Sequence, residues 1–551
     1  MSQLLMFAAD LLPLALVLAA ALAAARLSPG LATRASSWAD GRAAPWVVGC
    51  LTLLVFWFIW GSLAPIPTIH DENAYLLQAR LLAAGQLTGP GRPLPEFFEQ
   101  FHVFVTPLLA AKYPLGFSLA LVPGIWLGAP ALMPLLLNGL AGGLLFVVAR
   151  RLTTPAIAVL AWLTWLLAPG TITYHASYLS ETLSGPLWLM ACWALLEWRQ
   201  TALRGWLVLL ALAIGGCAIT RPLTAVGLAI PCGVVVMALL RRNRRWADLA
   251  IASLAGAVML LPMFYQNAKV AGSWRVTPWE RYADIYAPVD RPGFTIDGRP
   301  PQRELPADMR AYVVYFTEAH VGFIPSRLPA IFFARLGQVL RDAWGPWLPA
   351  LAFLALIGMW KAGREVWFGL ASLLSLMAVH LIFAHPLNWS LYYQECQPAL
   401  SIVVALGIAA AAGFLIPRMG AEAAGRTPLA LWLVTLCAVG TAASVIPAAR
   451  EKKAKETAYH QSFHDLVAAL PGRSIVFVRY SPIHRFYTSL VDNPPDLESA
   501  PSWIVHDLEG ENVRLIRLAP DRKAYLYVEQ KKVMVPLAAD GSAESMPASA
   551  R

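Results

Sequence analysis

Charge is scarce in this chain of 551 residues. Asp, Glu, Lys and Arg make up 14% of it, against 58% hydrophobic residues. An ordinary soluble domain carries about 25% charged residues, so that class is excluded. Cysteine is scarce as well. The 6 cysteines (Cys50, Cys192, Cys217, Cys232, Cys396 and Cys437) sit in or beside apolar runs, with no CxxC or Cys/His spacing. That indicates neither a disulfide framework nor a zinc site. His70 and His102 also lack metal-ligand spacing, and no metal or other cofactor is expected. There is no Walker loop, no GxGxxG after a strand, no GxSxG elbow and no repeat of fixed period. The net charge is +10. In a chain this apolar such an excess marks cytoplasmic loops, and nucleic-acid binding need not be invoked.

What the chain has instead is apolar runs of spanning length. They fall at roughly 4–25, 46–66, 131–149, 154–173, 180–198, 205–220, 222–240, 247–266, 346–361, 365–385, 395–417 and 428–447, about 12 in all. The first carries no basic residue ahead of its apolar run and is expected to be a span rather than a cleaved signal. Basic residues fall in every second connection: Arg26, Arg34 and Arg42; Arg150 and Arg151; Arg199 and Arg204; Arg241 to Arg245; Lys361 and Arg364; Arg418 and Arg426. These connections are expected on the cytoplasmic side. The alternation requires that residues 113–129 lie at the interface without crossing.

The opposite face then receives residues 67–130, the turn 174–181, Arg221, the long loop 267–345, the turn 386–394 and the tail from Ala448. The expected fold is an all-α polytopic membrane protein of about 12 transmembrane helices plus interfacial helices, with a small C-terminal α/β domain outside the bilayer. Residues 1–447 form the membrane domain, 448–540 the small domain and 541–551 a disordered tail. Helices are expected at Asn73–Ala84 and Ala307–Ala319. Strands are expected at Ser474–Tyr480, Ser502–His506, Asn512–Arg517 and Lys523–Glu529. Ala-, Leu- and Arg-rich usage fits a bacterial inner membrane, with the small domain and the chemistry on the periplasmic side.

The polar residues of that face form the candidate site. Asp71 and Glu72 stand where an apolar run ending in Pro65 and Pro67 meets water. Transfer to a hydroxyl needs a base, and adjacent carboxylates can divide the roles of base and acid. Acids at a helix start are also what the macrodipole favours. His70 flanks the pair. Lys112, followed by Tyr113, can hold a lipid phosphate as a point charge or anchor a helix end. Arg221, set between two spans with almost no loop, needs a carboxylate or a phosphate as partner. Tyr174, His175, Ser180 and Glu181 in one turn, and His385, Asn388, Tyr392 and Tyr393 in another, suit a sugar site or an interface belt.

In these residues the chain resembles the polyprenyl-phosphate-sugar-dependent glycosyltransferases of the GT-C superfamily, which include bacterial aminoarabinose transferases and protein O-mannosyltransferases. The likeness covers residues 46 to about 400. Asp71-Glu72 matches the acidic pair of the first external loop, and Lys112-Tyr113-Pro114-Leu115 a Lys-Pro-Pro-Leu-like motif in which tyrosine replaces the first proline. Ser180-Glu181 matches a Ser-Glu turn and Arg221-Pro222 an Arg-Pro. Tyr392-Tyr393 answers an Arg-Tyr without its arginine. The resemblance implies a sugar donor on a polyprenyl monophosphate and a glycan, lipid or protein acceptor. It also implies inversion, with Asp71 as base and Lys112 and Arg221 at the departing phosphate. A transporter or flippase of a lipid-linked sugar, or a non-catalytic assembly subunit, stays open as the alternative.

Overall fold

The computed structural model describes residues 37–243, 245–294, 296–418 and 426–542. The expected span at 4–25, Arg26, Arg34 and the tail beyond 542 lie outside these residues. Among the described residues, six helices are long and apolar enough to cross a membrane: Leu132–Leu152, Pro222–Arg242, Trp246–Ala271, Pro325–Lys361, Arg364–Ile382 and Ser390–Ala411. A seventh is made if Pro155–Leu166 and Pro169–His175 are one span bent by 62°. Pro169 lacks the N–H that would continue the first helix, which accounts for the break. The remaining expected spans differ for local reasons. Ala44–Trp60 and Arg204–Ala218 stop at 17 and 15 residues. Glu181–Thr201 carries Glu181, Glu197 and Arg199. Residues 428–447 belong to a single helix of 43 residues, Arg426–Ala468. Leu254, Phe353 and Trp360 are exposed on the long helices, as lipid contact requires.

The residues between the spans form a second layer. Helix His70–Ala83 ends at Gly85, whose φ of +75° only glycine adopts without strain. Leu115–Trp126, at 12 residues, is too short to cross, as the charge alternation requires. Gly89–Pro90, Leu108–Ala111 and Val103–Phe104 pair into a small antiparallel sheet. The long loop adds helices Pro278–Tyr286 and Ala307–Val321. The first of these begins with Thr277 and Glu280 capping each other's backbone. Phe101, Phe104, Tyr282, Tyr286, Tyr312 and Phe316 bury one another, so helices Pro278–Tyr286 and Ala307–Val321 pack against the small sheet.

The tail carries a four-stranded sheet in the order Ser502–His506, Ser474–Arg479, Lys523–Val528, Val533–Pro536. The first three strands are parallel and the last is antiparallel. Asn512–Arg517, expected as a strand, is helical (Asn512–Leu518). The Asn512 side chain accepts the Leu508 N–H and donates to Asp507, tying the helix start to the preceding turn. Leu515 and Ile516 then face the core. Val533–Pro536 supplies a strand that the sequence reading did not include.

The tail is welded to the first external loop. Phe97 and Phe98 are buried in the tail's own core beside Phe477 and Trp503. Each such side chain stabilises the contact by about 1.5–3 kcal/mol. Arg92 donates to the carbonyls of Pro494 and Pro495, and Gln100 donates to Asp492.

Candidate active site

The site is built where helix Ala44–Trp60 ends and the chain turns back into helix His70–Ala83. Glu72 is 1% exposed. Its Oε2 accepts the N–H groups of Thr68 (2.6 Å) and Ile69 (3.3 Å), and its Oε1 that of Tyr178 (2.9 Å). It therefore ties the helix start to the turn 174–181. One residue earlier, the Asp71 side chain is 30% exposed. Its Oδ1 accepts from the Tyr113 hydroxyl, and its Oδ2 lies 2.9 Å from His70 Nδ1. His102 Nε2 stands 3.9 Å from Oδ1. Burial alone would raise the Asp71 carboxyl. His70 and His102, with the bonds from His70 and Tyr113, outweigh it and hold the group well below the usual carboxylate range.

His102 is held in the left-handed region at φ +63°, a conformation costing about 1–3 kcal/mol in a non-glycine residue. Its N–H donates to Tyr282 Oη and its carbonyl accepts the Lys112 N–H. Burial, then the Lys112 charge, push its imidazole well below the ordinary histidine value. Lys112 itself is closed in. Its Nζ is 3.0 Å from Asp290 Oδ2, with both side chains 2% exposed or less. Nζ also lies 4.1 Å from the Trp279 ring centre, and Tyr312 donates to the same Asp290 oxygen.

Gly116 brings this turn against the next group. Its N–H donates to the Ile219 carbonyl, and a Cβ there would stand 2.2 Å from Thr220 Oγ1. Beyond lies Arg221, whose side chain is 10% exposed. Its Nη1 is 3.2 Å from Glu181 Oε2 without hydrogen-bond alignment, and its Nε is 3.7 Å from Glu395 Oε1. Ser184 also donates to Glu395. Tyr75, stacked on Tyr113 at 4.6 Å, meets the Ser180 hydroxyl and lies within electrostatic reach of Asp71, Glu181 and Arg221. Tyr392 feels the same three charges and Asp290. The structure thus brings together Asp71, His70, Tyr113, Lys112, Ser180, Glu181, Arg221 and Tyr392.

Other expected residues lie apart. His175 is a core residue, its Nδ1 2.7 Å from Asn138 Oδ1. Tyr174 faces Ser390 and Asp342. His385 and Tyr393 bond each other at 2.9 Å, beneath Arg335. That buried arginine donates to the carbonyls of His380, Phe383 and His385. Asn388 is exposed. Asp290, Tyr312, Trp279 and Arg335 were not singled out from sequence. The one available signal was a carboxylate or guanidinium in a tract of otherwise uncharged neighbours, and it fits Arg335 alone.

His70, Asp71 and His102 offer ligand atoms that all lie within 4.8 Å of one another. An imidazole–carboxylate–imidazole set of this size suits a divalent ion such as Zn²⁺. The histidines, without metal-ligand spacing in the sequence, are brought together by the fold of the external sheet.

No protein-family model and no curated protein matches the chain. Solved structures do. ArnT from Cupriavidus metallidurans, bound to undecaprenyl phosphate, overlays with a TM-score of 0.53 at 14% identity, over 88% of this chain and 94% of ArnT. Its apo state gives 0.52 at 14% identity, over 88% and 93%. An oligosaccharyltransferase from Archaeoglobus fulgidus, tethered to an acceptor peptide by a disulfide, overlays at 0.44 and 12% identity, over 89% of this chain and 69% of that one. The last is too distant to build on. The ArnT likeness shows the fold: a helical, multi-span membrane protein of ArnT-like architecture with a small C-terminal mixed sheet.

Proposed function

We propose that this chain, with its ArnT-like fold, is a membrane glycosyltransferase that moves a sugar from a polyprenyl-phosphate donor to an acceptor hydroxyl, on the periplasmic side of a bacterial inner membrane. One observation carries the reading. Of the carboxylates gathered at the site, Glu72, Glu181, Asp290 and Glu395 are closed off and paired, and Asp71 alone is open, its side chain 30% exposed.

The acceptor O–H gives its proton to Asp71 Oδ as its oxygen bonds to C1 of the sugar. The C1–O bond to phosphate breaks on the opposite face, and the anomeric centre inverts. Polyprenyl phosphate leaves with the electron pair. Tyr113 and His70 hold the Asp71 carboxylate in place. Glu72 positions it by fixing the helix start. Arg221, the more open of the two cations, faces the departing phosphate, a charge-stabilising part typical of such transfers. Lys112 supplies positive potential from its pair with Asp290. An apolar cavity of about 370 Å³ reaches from Glu395, the partner of Arg221, toward Arg199 and Arg364. It offers room for hydrocarbon beside the phosphate position. The ArnT structure that holds undecaprenyl phosphate supports a donor of this class.

Mass spectrometry of envelope glycoconjugates tests the reading. Three strains are compared: one without the gene, one complemented with wild type, and one with Asp71→Asn at verified membrane abundance. Loss of one sugar mass in the first, return in the second and continued absence in the third are expected. Full restoration by Asp71→Asn removes Asp71 as base.

A further inference from the structure

Beside Thr68 and Ile69 a cleft of about 810 Å³ opens between the membrane part and the tail domain, within the roughly 300–1,000 Å³ typical of pockets that hold small ligands. One wall is Thr68 and Ile69, the residues leading into His70 and Asp71. Lys453 Nζ from the long helix reaches Thr68 Oγ1 at 3.3 Å and closes that edge. The opposite wall is the tail segment 481–488. This segment touches both places. Its Phe486 ring lies 6.3 Å from the His70 ring and 5.8 Å from Tyr312, while its neighbours Arg485 and Tyr487 line the cleft.

The charges in the cleft are unevenly satisfied. Glu529 is used internally: it accepts from Ser481 N–H, the Tyr459 hydroxyl and His484 at 2.6–2.8 Å. These bonds hold the carboxyl down to about 2 against the effect of burial. Lys455 pairs with Glu451, and Glu456 has Lys452 within 3.9 Å. Arg485 and Lys532 are exposed, line the cleft, and have no ionic or side-chain hydrogen-bond partner among the described residues. Two unpartnered cations facing one cavity, with its buried acid already satisfied, favour an anion.

We propose that this cleft is the acceptor subsite and that its acceptor is an anionic glycan. The acidic group is held by Arg485 and Lys532, beside the exposed ring of Tyr487, while a neutral hydroxyl of the same glycan reaches Asp71. The proposal rests on the transfer reading of Asp71, and it gives the tail domain a substrate-binding role.

The test is a binding measurement, so it stands apart from turnover. Full-length protein in nanodiscs is titrated, by fluorescence anisotropy, with labelled maltotriose, its 6-phosphate, and its terminal uronate. Wild type is expected to bind a charged probe at least about tenfold more tightly than the neutral one, the scale of one good charge-assisted contact. The phosphate and uronate arms say which anion is taken. Arg485→Glu with Lys532→Glu abolishes the preference and leaves neutral-probe binding in place, which also reports that the cleft is folded. Asp71→Asn keeps the preference. Equal binding of all three probes by wild type, or an unchanged preference in the double variant, overturns the proposal. A separate transfer assay decides the role of Asp71, so failure of that reading is seen independently.

Discussion

Asp71 and Glu72 leave the same turn of helix and meet opposite surroundings. Glu72 turns inward, where three backbone N–H groups use its oxygens. Asp71 has a tyrosine and two histidines around it and part of its surface open. A carboxylate that answers orphaned backbone donors is worth most to the fold. One left accessible is worth most to chemistry. The same division runs through the site, because Asp290, Glu181 and Glu395 are closed in the manner of Glu72.

Variants can break or sharpen this division. The largest effect is expected from Asp71→Asn, a loss of about 10²–10⁴ in transfer rate, the range for a positioned general base. Next comes Lys112→Met, which leaves Asp290 buried without its cation and should destabilise by about 3–5 kcal/mol, read by thermal unfolding in detergent. Glu72→Gln follows. It weakens the anionic acceptor of three backbone donors and should destabilise by about 1–3 kcal/mol, with transfer per folded molecule retained.

Smaller effects concern the environment of Asp71. Its lowered carboxyl stays ionised as pH falls, so the base form is present across about pH 4 to pH 8 and no acid limb from Asp71 should appear there in kcat/KM. His70→Ala removes a neighbouring imidazole whose interaction favours the Asp71 anion, so an acid limb should move up toward the ordinary carboxylate range. The smallest expected effect is that of chelation. If Asp71 works as a base without a metal, dialysis against EDTA leaves transfer unchanged. A loss restored by Zn²⁺ would assign His70, Asp71 and His102 to a metal instead.

Much of this was legible in the sequence because spans and sidedness are one-dimensional. Apolar runs and the alternation of basic residues put Asp71, Lys112, Glu181 and Arg221 on one face, and the structure brings them together. That the short Tyr113–Ala129 piece does not cross was readable from the alternation of basic residues, with its length in agreement. What escaped was made by distant pairing. Lys112 and Asp290 are 178 residues apart, and no spacing rule joins them. His102 reaches Asp71 only through a small sheet whose strands are 2 to 4 residues long. Asn512–Arg517 alternates polar and apolar residues only through Leu515; Leu515 and Ile516 are adjacent apolar residues, and the helix turns both to the core. The resemblance, not the residue types, singled out Asp71 of the adjacent carboxylates, because their difference lies in the surroundings each side chain meets.

The most direct test sets these neighbours side by side. Strains carrying Asp71→Asn or Glu72→Gln are measured for membrane abundance of the protein and for the envelope sugar mass that the gene confers. The account predicts wild-type abundance without the sugar for Asp71→Asn, and lowered abundance with the sugar still present for Glu72→Gln. The reverse pattern, an active Asp71→Asn and an abundant but inactive Glu72→Gln, would contradict it.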